Sequence, residues 1–244
     1  MSLPTNLCLF DLDETLLPID SDHAWGEFIV RAGWVDAVAF ARGNDGFYAQ
    51  YREGRLDIHE YIAFATGPLR SRPAEELAAA HRQFMAEVIA PALRPAALAL
   101  VREHCVRGDR IALVTATNDF VTAPIAAALG IADLLAVRLE RDAGGSITGR
   151  IDGTPSYREG KVVRVQEWLV AEAGVSTPAT GAFLPSSLSM NFLIIAVGFV
   201  DGQSKSCKTR QPRVSATSRS AGEGLVATGS VASSSRGKSF TESL

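Results

Sequence analysis

Near the start of the chain, Cys8-Leu9-Phe10-Asp11-Leu12-Asp13-Glu14-Thr15-Leu16 places two carboxylates two positions apart, directly behind an apolar run. If residues 7–10 form a strand buried on both faces, Asp11 stands at its carboxyl end, where open α/β sheets hold their ligands, and Asp13 faces the same way. Paired acids there can hold a hard divalent cation, and one can attack phosphorus while the other moves the proton. An Asx turn closing the strand is the plainer account of the same residues. A second cluster, Leu113-Val114-Thr115-Ala116-Thr117-Asn118, also follows an apolar run. Its Thr115 hydroxyl can donate to a phosphoryl oxygen, although a threonine so placed more often caps a helix. A third, Tyr157-Arg158-Glu159-Gly160-Lys161-Val162, puts Lys161 at a helix start. A cation there opposes the macrodipole, so Lys161 wants a phosphate or an aspartate beside it, or else stands in solvent.

Apolar periodicity supplies the elements that must hold these groups. Continuous runs at 7–10 and 110–115 have the character of buried parallel strands, and helical spacing covers 22–31, 34–42, 57–65, 73–90, 96–107, 121–129 and 159–173. Ser21 or Asp22 and Ser71 are placed to cap, and Gly108 and Gly130 to terminate. Residues 134–139 and 146–151 read as paired strands around Asp142-Ala143-Gly144-Gly145. The order implies an α/β fold, an open and mostly parallel sheet with a helical block inserted between its first two motif strands.

The chain has 244 residues, 47% hydrophobic and 21% charged, with a net charge of −3. That length suits one large domain or a core with an insert, and mild acidity offers no footprint for nucleic acid. Three widely spaced cysteines, Cys8, Cys105 and Cys207, fit neither a disulfide framework nor a metal-ligand spacing, which points to a reducing compartment. The four histidines show no metal spacing either. Residues 1–9 lack a basic segment and a signal-length apolar run, and the nine-residue apolar stretch 192–200 falls well short of the ~20 helical residues a bilayer needs. A cytoplasmic protein with no membrane partner is expected, with 192–200 as a strand or buried segment.

The composition changes near Gly174. Residues 1–175 hold 24 acidic and 17 basic side chains, 5 serines and every Trp and Tyr, whereas 176–244 hold 3 acidic, 7 basic and 15 serines. The two parts therefore have opposite charge, and the segment from Gln203 onward lacks helical or strand periodicity.

Taken in order, Asp11/Asp13/Thr15, Thr115 and Lys161 resemble three of the four motifs of the haloacid dehalogenase (HAD) superfamily, in its phosphoserine-phosphatase-like branch. The resemblance covers roughly residues 5–175. It implies a HAD-like, Rossmann-type α/β core over 1–16 and 94–175, a helical cap over 17–93 inserted after the first motif strand, and an atypical tail over 176–244. It further implies hydrolysis of a small phosphorylated metabolite, with Asp11 as the nucleophile forming an aspartyl-phosphate and Asp13 as general acid/base. Thr115 and Lys161 would bind the phosphoryl group, and Mg²⁺ would be held by the Asp11 carboxylate and the Asp13 backbone carbonyl. Where the family carries a fourth, acidic motif beyond the lysine helix, this chain has only Asp201, Glu223 and Glu242, none neighbouring another. A flexible tail would account for the break in composition, and a change of reading frame near Val175 would account for both it and the missing motif.

The cap would select the substrate. Asp20 occupies the place where the resembled phosphatases carry a Glu that meets the substrate amine, and a helix cap is its plainer role. Arg52 and Arg55 read as a solvated helix face. Trp25, Phe28, Trp34, Phe40, Phe47, Tyr48 and Tyr51 read as cap core.

Overall fold

The computed structural model describes residues 6–172 and three short strands, 191–195, 199–200 and 203–204. Strand β1 (Asn6–Phe10) leads into a wide turn closed by the Leu17 N–H donating to the Leu12 carbonyl at 3.0 Å. A block of helices follows: α1 (Ser21–Arg31), α2 (Ala37–Arg52), α3 (Ile58–Ala65), α4 (Gly67–Arg70), α5 (Ala74–Phe84) and α6 (Ala90–Ala92). Between the last two, Met85–Ile89 is a single widened turn. Pro91 explains it, since proline has no N–H for the carbonyl four residues back. Helix α7 (Pro95–Val106) then leaves at 92° to the preceding helical run, because Pro95 holds Arg94 out of the helical region.

The α/β alternation continues through β2 (Arg110–Asn118), α8 (Asp119–Leu129), β3 (Asp133–Val137), β4 (Leu139–Arg141), β5 (Ile147–Ile151) and α9 (Glu159–Glu172). Beyond it lie β6 (Asn191–Ile195), β7 (Phe199–Val200) and β8 (Gln203–Ser204). The main sheet runs β3-β2-β1-β6 with every neighbouring pair parallel. The strand expected over 192–200 is thus present in part, with β6 paired to β1 from Asn6↔Asn191 to Phe10↔Ile195.

Strand alternation divides the core. Cys8, Phe10, Ile111 and Leu113 join one apolar cluster that runs on into the helical block through Trp25, Phe28, Ile62 and Phe84. Leu9, Ala112 and Val114 face Val165 and Trp168 of α9 on the other side. Trp25 anchors the first cluster, with ring centroids 5.1 Å from Phe84 and 5.4 Å from both Phe28 and Phe120. Truncating such a residue costs about 3–5 kcal/mol. Beneath the sheet, His104 Nδ1 lies 3.0 Å from the Cys8 thiol and 2.8 Å from an Asp109 carboxylate oxygen, a buried polar group that sequence spacing does not reveal. Among the described residues no single helix is long and apolar enough to cross a membrane.

Several local expectations are corrected. The cap role favoured for Asp20 holds, with its Oδ1 accepting from the Asp22 and His23 N–H groups at 3.0 Å each, and Ser21 and Asp22, also placed to cap α1, do not cap it. Ser71 caps nothing: Pro73 bars Arg72 from helical geometry, so α5 starts at Ala74 without a side-chain cap. The helix expected over 34–42 runs instead over Ala37–Arg52, because Asp36 caps it and Phe40 and Phe47 pack on Phe64 with centroids 5.0 and 5.1 Å away. That packing outweighs the roughly 1 kcal/mol each that Gly43 and Gly46 cost inside a helix. The strand expected over 134–139 splits in two. Asp119 accepts the Leu139 N–H at 3.2 Å and draws the chain out of the parallel sheet, so only β4 pairs with β5.

Candidate active site

Parallel strands bring their carboxyl ends to one edge, where Phe10 at the end of β1 pairs with Leu113 and β2 runs on past it to Asn118. Asp11 follows β1 immediately. Its Oδ1 accepts from the Leu12 N–H at 3.0 Å and from Lys161 Nζ at 3.1 Å, across 150 residues of sequence. Asp11 Oδ2 has no protein partner among the described residues. Lys161 reaches it because the chain before α9 turns tightly. Arg158 adopts φ +50°, and the Gly160 and Lys161 N–H groups donate to the Tyr157 and Arg158 carbonyls at 2.9 and 3.0 Å. A Cβ at Gly160 would lie 2.1 Å from the Pro155 carbonyl oxygen, so only glycine fits.

Asp13 is gripped from two sides. Its Oδ1 accepts from the Ser21 N–H at 2.7 Å and the Ser21 hydroxyl at 2.6 Å, at the start of α1. Its Oδ2 accepts from the Thr117 and Thr115 hydroxyls at 2.9 and 3.1 Å. Burial pushes the Asp13 carboxyl above its ordinary value and the nearby Asp20 charge adds to that, while the bonds from Ser21 and Thr117 pull the other way. Glu14, next in the chain, takes φ +55°, which turns the backbone sharply after Asp13.

The cleft between these strand ends and the helical block has a volume of about 350 Å³. Asp11, Asp13, Thr117, Tyr157 and Lys161 form part of its lining, and α1–α3 contribute Asp22, Tyr48, Tyr51 and Tyr61, with Asp20 just before α1. The Tyr157 hydroxyl is buried and has no hydrogen-bond partner among the described residues. Asp22 accepts from the Tyr61 hydroxyl at 2.5 Å and from Asn118 Nδ2 at 3.4 Å. Burial, reinforced by the charges of Asp20 and Asp13, pushes the Asp22 carboxyl up to about 7 against the pull of the Tyr61 bond. Burial and the facing Asp22 carboxyl push the Tyr61 phenol up as well.

Of the residues singled out in the sequence, Asp11, Asp13 and Lys161 meet in the cleft. Thr115 is fully buried behind it with its hydroxyl on Asp13. Spacing gives no role to Thr117, Asn118, Tyr61 or Tyr157, and to Asp22 only that of a helix cap. Thr117 was legible in principle, since a residue two along a strand from Thr115 shares its face. Asp22 and Tyr61 lie 39 residues apart on separate helices, and no sequence signal joins them. Asp20 both caps α1 and lines the cleft. Among the aromatic residues expected in the cap core, Trp25 and Phe28 are buried there, but Phe47, Tyr48 and Tyr51 line the cleft. Arg52 and Arg55 are not part of the lining. Asp201, Glu223, Glu242 and Cys207 lie outside the described residues.

For a divalent metal, the strand end offers the Asp11 carboxylate and the Asp13 carbonyl, both hard oxygen donors. Five carboxyl groups line the cleft against a single lysine. That donor set and that surplus of acid fit Mg²⁺, which takes few protein oxygens and keeps several waters.

The haloacid dehalogenase-like hydrolase profile matches residues 8–178. A histidinol-phosphatase from Neisseria meningitidis serogroup C (strain 8013) is 41% identical over 176 residues, covering 72% of this chain and 79% of its own. The protein CicA of Caulobacter vibrioides (strain NA1000 / CB15N) is 29% identical over 192 residues, 78% of this chain and 82% of its own. A crystal structure of a protein of unknown function from Bordetella pertussis Tohama I superposes with a TM-score of 0.65 at 47% identity, covering 71% of this chain and 78% of that one.

Proposed function

Since the chain belongs to the haloacid dehalogenase-like hydrolase family, we propose that it hydrolyses a small phosphomonoester, histidinol phosphate first among the candidates, through an aspartyl-phosphate on Asp11. The observation that carries this reading is the contact of Lys161 with Asp11, 3.1 Å long, beside Asp13 in one cleft. Lys161 and the Leu12 N–H hold Oδ1 of Asp11 and leave Oδ2 to attack phosphorus. As the O–P bond forms, the ester oxygen departs with its electron pair and takes a proton from Asp13. Burial suits Asp13 to this part, because it favours the neutral acid. In the second half, ionised Asp13 takes a proton from water, the water oxygen attacks phosphorus, and Asp11 and inorganic phosphate are released. Lys161 and the Thr117 hydroxyl, which lines the cleft, are the groups we assign to the phosphoryl end, whereas Thr115, expected there from the sequence, is fully buried behind it and holds Asp13 instead. Mg²⁺, when bound to the Asp11 carboxylate and the Asp13 carbonyl, supplies positive charge against the phosphoryl oxygens. Residues 17–93 act as the cap over a core of 1–16 and 94–175.

The test is release of phosphate from histidinol phosphate and from 4-nitrophenyl phosphate with Mg²⁺ present. Asp11→Asn loses on the order of 10³-fold or more in kcat, as removal of a covalent nucleophile does. It also fails to retain phosphate on the protein after acid quenching of a labelled reaction. An Asp11→Asn variant that turns over normally refutes the covalent route.

One specific observation favours a second reading, in which the chain is an impaired HAD-type remnant. The family match ends at residue 178, and the sequence after Ile195 reads Ala-Val-Gly-Phe-Val, with no carboxylate before Asp201. On that reading the other two frames of the DNA beyond codon 175 encode an apolar strand followed by an acidic loop. The lack of such an open frame counts against it.

A further inference from the structure

Asp22 is a carboxylate in search of a cation. It lines the cleft and is partly buried, yet its two contacts, the Tyr61 hydroxyl at 2.5 Å and Asn118 Nδ2 at 3.4 Å, are neutral donors. No lysine or arginine pairs with it among the described residues. Lys161, the only lysine or arginine in the lining among the described residues, is engaged with Asp11. A partly buried carboxylate without a counter-charge is unfavourable, and a ligand bringing positive charge relieves it.

The surroundings specify what kind of cation. Phe47, Tyr48, Tyr51 and Tyr61 bring ring surface to the same cleft, and Tyr48 and Tyr51 keep 61% and 55% of their surface open. Aromatic faces beside a carboxylate suit an organic cation, whose charge is spread over an apolar body, better than a hydrated metal ion. Asp22 is also held rigidly. Asn118 Oδ1 caps α8 by accepting from the Val121 N–H at 3.1 Å, and this fixes its amide nitrogen toward Asp22. Asp20, the other acid on this side, has its Oδ1 committed to two N–H groups of α1.

We propose that Asp22, braced by Tyr61 and Asn118, is the specificity residue that receives an ammonium or imidazolium group carried by the alcohol part of the substrate, with the surrounding aromatic rings covering that group. The proposal rests on the phosphomonoesterase reading above. It assigns the choice among phosphomonoesters to a carboxylate separate from those that do the chemistry.

The experiment compares kcat/KM for histidinol phosphate, which is cationic at its alcohol end, with that for 4-nitrophenyl phosphate, which is not. The full-length chain is used in three forms: wild type, Asp22→Asn and Asp20→Asn. Asparagine keeps the size at both positions and keeps the cap of α1 at residue 20. In Asp22→Asn the cationic-to-neutral ratio falls roughly 10- to 100-fold, the range for losing a hydrogen bond to a charged group, and the fall lies in KM rather than kcat. In Asp20→Asn it falls less. An unchanged ratio in Asp22→Asn, or a larger fall in Asp20→Asn, overturns the assignment. If wild type hydrolyses neither ester, the phosphatase reading fails separately, and calorimetric titration with histidinol itself decides the binding question. A Kd weakened at least about tenfold by Asp22→Asn supports the assignment, and an equal Kd overturns it.

Discussion

Replacing Asp22 with asparagine makes the protein more stable at alkaline pH and leaves it unchanged in acid. Asp22 titrates near 3.8 in an unfolded chain and at about 7 in the folded one, chiefly because burial penalises its charge. Between those values the folded state binds a proton that the unfolded state has released. Stability from this group is therefore whole below pH 4, drains away as pH rises toward 7, and is flat above. Three pH units at 1.36 kcal/mol each give about 4 kcal/mol, and the edge that Asp22 presents to the cleft lets water screen part of it, leaving about 2–4 kcal/mol. Asparagine accepts the Tyr61 hydroxyl as the carboxylate does, so its main change is the removal of a titrating charge. Urea unfolding followed by the fluorescence of the three tryptophans, in metal-free buffer from pH 4 to pH 8, measures the difference directly. The midpoints of wild type and Asp22→Asn coincide near pH 4 and diverge steadily up to pH 7, with the variant the more stable. A difference independent of pH, or a variant less stable at pH 8, refutes the claim that this carboxyl is held out of its charged form by burial.

Two further outcomes follow from the turn that aims Lys161. Gly160→Ala forces a methyl group against the Pro155 carbonyl, so the turn must open and Lys161 must retreat from Asp11. Phosphatase activity falls at least about tenfold while far-ultraviolet circular dichroism is retained, and normal turnover by this variant contradicts the placement. Tyr157→Phe removes a buried hydroxyl that has no protein partner among the described residues. If that hydroxyl serves substrate, KM rises roughly 2- to 10-fold, the range for one neutral hydrogen bond, without loss of thermal stability, and an unaltered KM shows that it does not.

The strands and the acids at their ends were legible in the sequence because their signals are local. Asp11 and Asp13 follow four apolar residues, and Lys161 opens an amphipathic segment. For the two aspartates the strand fixes the direction once a parallel sheet is assumed, whereas Lys161 is aimed by the turn through Arg158 and Gly160. At the start of α1 the sequence offers three good caps, Asp20, Ser21 and Asp22, and the backbone chooses Asp20. Ser21 turns out to serve Asp13, and Asp22 to serve the cleft. The split of β3 from β4 was invisible because it depends on Asp119, twenty residues earlier, accepting the Leu139 N–H. The pairing of Asp22 with Tyr61 joins two helices whose packing the sequence does not specify. The same holds for Cys8, His104 and Asp109, which come together only when β1 and α7 are packed.

The charge of the cleft raises a question that its residues also answer. Among the described residues, Asp11, Asp13, Glu14, Asp20 and Asp22 line it with Lys161 as the only lysine or arginine, and a phosphomonoester brings further negative charge. Such a site repels its substrate unless several of those charges are cancelled. Lys161 cancels one at Asp11, and burial favours the neutral form of Asp13. On the proposed reading, a divalent cation at the strand end would offset the phosphoryl oxygens, and a positive group on the alcohol would offset Asp22. Neutralisation is thus divided between the two ends of the substrate, with metal and lysine at the phosphorus and the substrate's own cation beside the aromatic rings. A neutral aryl phosphate satisfies only the first half. On that proposal, discrimination between phosphomonoesters lies at Asp22 while the chemistry stays at Asp11 and Asp13.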